Sequence, residues 1–304
     1  MKRRGNFKFL GKFSWYIPGT GGIFALLAWL LLGAAIGGIL VVVMGAIAGP
    51  DSVTEYGTLL SYPIMFVPPM LFAAVKSNAA SMSKGGFKLD SNNFAPLGGA
   101  LCALIAAAGT LACAFWADCL VSFLPPMPQW FKDAMESMTN GNLWINLLCV
   151  SIMAPICEEW LCRGMVLRGM LARGAKPAVA IAVSALFFAF IHLNPWQAVP
   201  AFILGCLFGY VYYRTGSLKL TMLMHCVNNT FAVICSRIHG WEEMETWKDV
   251  VPGGLYWILV AATALLTVLA VLAFRKVTLV RGNCNCDPVP SIFDADEKEA
   301  SAVA

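Results

Sequence analysis

Charge is what this sequence has least of. Lys, Arg, Asp and Glu make up 12% of its 304 residues, against the roughly 25% that solvates an ordinary globular surface. That deficit excludes a soluble enzyme, a disordered chain and a nucleic-acid binder. Histidine is scarcer still, at three, and the H-E-x-x-H helix of soluble zinc proteases is absent. No internal repeat is visible, which argues against the inverted-repeat plan of many transporters. Cysteine is not scarce, at 11, but what would make the cysteines a framework is missing. Disulfide scaffolds belong to short secreted chains, and nine of these thiols sit in apolar runs, where they behave as small hydrophobes. The other two, Cys284 and Cys286, form a lone C-x-C with no second pair and no nearby His, a poor zinc site. They read as solvated thiols. What remains is apolar: 59% hydrophobic residues and a mean hydropathy of +0.71. The chain is expected to be an integral membrane protein of the all-α class.

A helix needs about 20 mostly apolar residues to cross the ~30 Å hydrocarbon core. Eight segments qualify: 22–48, 57–75, 96–124, 143–171, 177–194, 197–213, 217–237 and 254–274. The breaks between them include Pro125-Pro126-Met127-Pro128, Gly174-Ala175-Lys176-Pro177, Asn194-Pro195 and Thr215-Gly216-Ser217. Ala46-Ile47-Ala48 mimics a signal cleavage site, but its apolar run is about twice a signal-peptide core, so the first helix reads as retained. The positive-inside rule then sets the orientation. Lys2, Arg3, Arg4, Lys8, Lys12, Lys76, Lys84, Lys88, Arg168, Arg173, Lys176, Arg214, Lys219, Arg275, Lys276 and Arg281 fall on one side. Acids such as Asp51, Glu55, Asp133, Glu136, Glu242, Glu243, Glu245 and Asp249 fall on the other, with Lys132, Lys248 and Arg237 as the bases there. A multi-pass protein of the cell membrane with both termini cytoplasmic is expected.

An ionisable side chain at membrane depth is a functional hypothesis by default. Most of the apolar runs have none. The exceptions are Glu158, Glu159 and Arg163 in the fourth segment, His192 late in the fifth, and His225, Asn228 and Asn229 in the seventh. Asp118 is a weaker case, two turns from an interface. Glu159 and Arg163 are four apart and can form an i,i+4 ion pair. Glu158, turned about 100° away, is left for another task. His225 and Asn229 likewise share a face. A water beside Glu158 would be a competent nucleophile for an amide bond, with a His and an Asn to bind the oxyanion. On the residues alone, helix-to-helix hydrogen bonding remains the plainer alternative. Gly205-x-x-x-Gly209 reads as a close helix approach.

These residues resemble the CAAX-protease and bacteriocin-processing (CPBP, or Abi) family of intramembrane proteases. E-E-x-x-x-R appears as Glu158, Glu159 and Arg163, followed by Gly164. F-x-x-x-H appears as Phe188 and His192, and H-x-x-x-N as His225 and Asn229. The link Phe202-x-x-Gly205-x-x-x-Gly209 and the run Tyr213-Arg214-Thr215-Gly216-Ser217-Leu218 also match. Lys219-Leu220 departs from the Trp-Pro of many members. The resemblance covers about residues 143–235. It implies that Glu158 activates water, that Glu159 and Arg163 support it, that His192 positions the water or a metal, and that His225 and Asn229 stabilise the oxyanion. It also implies membrane-associated peptides or proteins as substrates, prenylated C-terminal motifs in one branch.

A His₂Glu zinc set of His192, His225 and Glu158 is chemically plausible, as is the same set working without Zn²⁺, and the metal-free chemistry is slightly favoured. Expected partners are membrane lipid and the substrate, with no nucleic acid. Three units are expected: 1–142 with three spans, a catalytic core over 143–237, and a last helix with a tail over 238–304. A transporter or proton pathway and a catalytically silent scaffold or immunity protein stand as alternatives. One mismatch is visible in advance. Glu158 and His192 lie about 22 Å from the inner helix ends, but His225 only about 12 Å from Ser217, at 1.5 Å per residue. Tilted helices, or a 214–219 connection that re-enters the membrane, would be needed to bring them level.

Overall fold

In hydrocarbon the backbone of an apolar run has only itself to bond to, so each such run closes into a helix. A computed structural model describes residues 10–139, 141–238, 244–280 and 285–294. In it α1 spans Thr20–Ala48, α2 Pro50–Ser81, α3 Gly99–Val121 and α4 Gln129–Thr139. A composite helix α5 covers Leu143–Ala172. It is followed by α6 over Pro177–Phe190, α7 over Pro195–Thr215, α8 over Leu218–Cys235 and α9 over Gly253–Arg275. Two short strands, β1 (Gly86–Phe87) and β2 (Pro288–Val289), pair antiparallel.

The protein is a polytopic helical bundle and a multi-pass membrane protein. Each of the eight expected segments contains a helix. Among the described residues six helices (α1, α2, α3, α5, α8 and α9) are long and apolar enough to cross a membrane. Helix α6 has 14 residues, about 21 Å at 1.5 Å per residue, and stops short. The chain leaves the helix through a left-handed Leu193 (φ 55°) and an extended Asn194, the residue before Pro195. Asn194 is extended and caps α7, accepting the Gln197 backbone N–H at 2.8 Å. Helix α7 has the length, at 21 residues, but carries Gln197, Tyr210, Tyr212, Tyr213 and Arg214. Of the charges used for orientation, Lys2, Arg3, Arg4, Lys8, Glu242, Glu243 and Arg281 lie outside the described residues.

Arg168 does not behave as a flanking interface charge. It is fully buried, and its guanidinium donates to the carbonyls of Phe13, Ser14, Tyr16, Phe87 and Gly164 at 2.6 to 3.3 Å. It thereby pins the N-terminal segment and β1 to α5. The tail also departs from expectation, since Cys286 is buried at 1% exposure. Its thiol donates to the Tyr212 hydroxyl at 3.5 Å, because β2 pairing returns the tail to the body of the protein. Cys284 lies outside the described residues.

This tail and the 88–93 loop also cover the 214–219 connection. Helix α7 ends on Gly216 in the left-handed region (φ 65°), the usual glycine stop. A Cβ there would run into the carbonyl of Asn285. Thr215 and Ser217 are buried. Ser217 bonds Asn92, and Asp90 accepts the Lys219 backbone N–H and its ammonium group. The turn that starts α8 is thus covered by protein, and His225 Nε2 lies 3.8 Å from Glu158 Oε2.

Candidate active site

Helix α5 is not a regular α-helix. It widens to π geometry over Leu147–Met153 and again over Trp160–Leu167, with an α-helical stretch Ala154–Glu159 between them. Pro155 heads that stretch and has no N–H to give to a preceding carbonyl. Such widenings free carbonyl groups that hydrocarbon cannot satisfy. Side chains take them up: Ser184 on α6 donates to the Cys162 carbonyl at 2.8 Å, and Arg168 Nε to that of Gly164 at 2.6 Å. The two glutamates stand at the end of the middle stretch, so the 100° between them is retained.

That rotation gives them different surroundings. Glu159 is completely buried, as is Arg163, and Arg163 Nη1 donates to Glu159 Oε1 at 2.7 Å. The other arm of the guanidinium, Nη2, donates to the Gly205 carbonyl at 2.9 Å. Phe188 and Phe208 enclose the cation, with ring centroids 4.9 and 5.4 Å away. Helix α7 comes this near because it has no side chain at the contact. A Cβ on Gly205 would sit 3.0 Å from Ala185 Cβ and 3.4 Å from Arg163 Nη2, and one on Gly209 would sit 3.2 Å from Ile181 Cγ2. Glu158, by contrast, keeps 12% of its side chain exposed.

His225 joins the two carboxylates. Its Nδ1 lies 3.1 Å from Glu159 Oε1 and its Nε2 3.8 Å from Glu158 Oε2. The first is a hydrogen bond. The second is too long for one and suits a bridging water. When Nδ1–H donates to Glu159, Nε2 is left facing Glu158. Phe188 and Phe208 also pack on this imidazole, at 5.4 and 5.9 Å between centroids.

The remaining expected residues are less tightly drawn in. His192 falls in the turn after α6, with its Nδ1 on the Phe188 carbonyl at 2.8 Å. Its ring stands edge-on to Phe188 at 5.0 Å, so Phe188 touches both imidazoles. Among the described residues no hydrogen bond or ion pair joins His192 to Glu158. Asn229, one turn beyond His225, donates to the Val150 carbonyl of α5 at 2.8 Å and accepts from Asn228 at 3.1 Å. One of its two amide hydrogens remains.

Among the described residues no group of three or more His, Cys, Asp or Glu side chains is placed to hold a metal ion. His192 is anchored to its own helix end, and Phe188 packs against both imidazoles. Sequence reasoning missed a residue. Tyr62, on α2, donates from its hydroxyl to Glu158 Oε1. The available signal was a polar aromatic in mid-span beside Pro63, with Gly33-x-x-x-Gly37 on the preceding helix to seat it.

Residues 140–231 match the family described as Rce1-like, type II CAAX prenyl endopeptidase Rce1-like. The matched segment agrees with a CPBP family intramembrane protease. It runs from just before α5 into α8 and contains all three motifs, whereas α1, α2, α3 and α9 lie outside it. No curated protein and no solved structure matches the chain. At family level the match supports a CAAX-type intramembrane endopeptidase.

Proposed function

We propose that this protein hydrolyses a peptide bond of a membrane-associated protein or peptide, with Glu158 as the base that activates water. The observation that carries the reading is the division of labour between two adjacent carboxylates. Glu159 is neutralised by Arg163 and sealed from solvent, while Glu158 is partly exposed and faces the Nε2 edge of His225 across 3.8 Å. A water held by Glu158 Oε2 and His225 would sit within reach of both. Glu158 takes its proton as the oxygen attacks the carbonyl carbon, and returns it to the amine as the C–N bond breaks. The free amide hydrogen of Asn229 serves the developing oxyanion, and His225 serves it in the form that carries protons on both ring nitrogens, with Nδ1–H on Glu159 and Nε2–H free to donate. His192, packed edge-on to Phe188, helps to order the water. No step in this scheme runs through a metal.

The proposed catalytic core is 143–237. Residues 1–142 and 238–304 frame it, and both ends of the chain are proposed to be cytoplasmic. The family description suggests a prenylated CAAX peptide as the substrate to try. Purified protein in detergent should release the terminal tripeptide from a farnesylated CAAX peptide. Glu158→Gln should lower the rate by about 10²–10⁴-fold, the range that a positioned base contributes, with its melting temperature retained. Equal turnover by the two proteins would remove Glu158 from the role.

A further inference from the structure

Helix α2 lies outside the segment that matches the family, yet it supplies a direct polar contact to the proposed base. The Tyr62 hydroxyl donates to Glu158 Oε1, while the other oxygen, Oε2, is the one that faces His225. A carboxylate on a flexible stem has a broad terminal torsion, and its two oxygens compete for any donor nearby. A charge-assisted bond to one oxygen removes that freedom. We propose that Tyr62 is a positioning residue for the reaction: it holds Oε1 so that Oε2 stays directed at His225 and the attacking water. This rests on the reading of Glu158 as the base.

The packing around Tyr62 is built to the same end. A tyrosine hydroxyl in an apolar helix needs a partner, and Glu158 provides it. The ring is half-buried against Phe66, 5.4 Å between centroids, and packs on the buried core that contains it. Roughly 60–100° round α2 from Tyr62 the backbone rests directly on α1. A Cβ on Gly33 would run into the backbone of Met65, and one on Gly37 would come within 2.9 Å of the Ser61 carbonyl oxygen. Ser61 and Met65 flank Tyr62 on the helix, so these glycines fix how far the hydroxyl reaches. Pro63, next in the chain, contributes no N–H there, which loosens the α2 ladder at this turn.

The test compares wild type, Tyr62→Phe and Glu158→Gln. Phenylalanine keeps the ring and removes only the oxygen. With a farnesylated CAAX peptide as probe, Tyr62→Phe should lose about 10- to 100-fold in kcat, the scale of a mispositioned reacting group. KM should stay within about twofold and the melting temperature within about 2 °C. Infrared spectroscopy supplies a readout that needs no turnover. The difference between wild type and Tyr62→Phe should contain a shifted carboxylate stretch, and the same difference taken in the Glu158→Gln background should lack it.

A kcat within about threefold of wild type, a loss that tracks the melting temperature, or no carboxylate band dependent on Glu158 would each overturn the proposal. Inactive Glu158→Gln beside fully active Tyr62→Phe removes Tyr62 alone. Fully active Glu158→Gln removes the base reading, and the role of Tyr62 in the reaction with it. If wild type leaves the peptide intact, the infrared band decides whether Tyr62 holds the carboxylate.

Discussion

Half of the central window of α5 is buried inside the protein, against 17% for α9 and 22% for α1. All three helices are apolar enough to span a membrane, so hydropathy does not distinguish them. What distinguishes them is the work that packing has to do. Helix α5 carries two carboxylates and two arginines, and each needs a partner that lipid cannot offer. It is therefore wrapped by α6, α7, α8, the N-terminal segment and β1. Helix α9 carries its one charge, Arg275, at its end, and turns Leu255, Trp257, Ile258, Leu265 and Leu269 outward. Polar content at depth, more than total hydrophobicity, decides which helices become the core.

The sharpest way to break this comparison is to remove a charge from the buried side. Glu159→Gln leaves Arg163 without its carboxylate in a fully buried site, where losing one partner of an ion pair costs about 3–5 kcal/mol. Gln can still accept from Nη1, so the lower end is expected. Chemical or thermal unfolding should show the loss, with Glu158→Gln as the matched control that stays folded. If Glu158→Gln unfolds the protein while Glu159→Gln leaves it stable and inactive, catalyst and support have been exchanged.

Much of this site was legible because it is local. Glu159 and Arg163 meet at i,i+4, and both Gly205 and Gly209 lie at a helix contact, as their spacing requires. The helical segments were legible too, since lipid leaves apolar runs no other fold. What escaped depended on contacts between distant parts of the chain. Tyr62 lies 96 residues from Glu158, and no spacing rule joins them. Cys286 looked solvated because nothing local says that a tail strand will pair with Gly86–Phe87. Arg168 looked like an interface charge because its partners are backbone carbonyls, which every residue has. The short α6 could be read from Asn194-Pro195, yet an apolar count through His192 hid it.

A smaller effect is expected where α7 closes on the site. Gly205→Val places branched carbon against Ala185 and close to Arg163 Nη2. Overpacking of this kind costs about 1–3 kcal/mol. The Arg163 bond to the Gly205 carbonyl should lengthen with it, so activity should fall along with stability. Gly253→Val, at the start of α9 with nothing within 4 Å of a built Cβ, is the control. Equal losses at both positions would show that the close approach of α7 is not what makes Gly205 sensitive.

The smallest effect should come from the outer face of α9. Ile258 is 66% exposed, and lipid solvates its side chain whether or not the helix is docked, because acyl chains are as apolar as the residue itself. Ile258→Ala should therefore change stability by no more than about 0.5 kcal/mol, the usual range for surface positions. Measured by unfolding in detergent and again in bilayers, the two values should agree. A loss above about 1.5 kcal/mol would be in the range of a side chain taken out of its surroundings by packing. In that case the outer face of α9 would be covered in the working protein, and the contrast between a packed core and a lipid-solvated shell would have to be redrawn with α9 on the buried side.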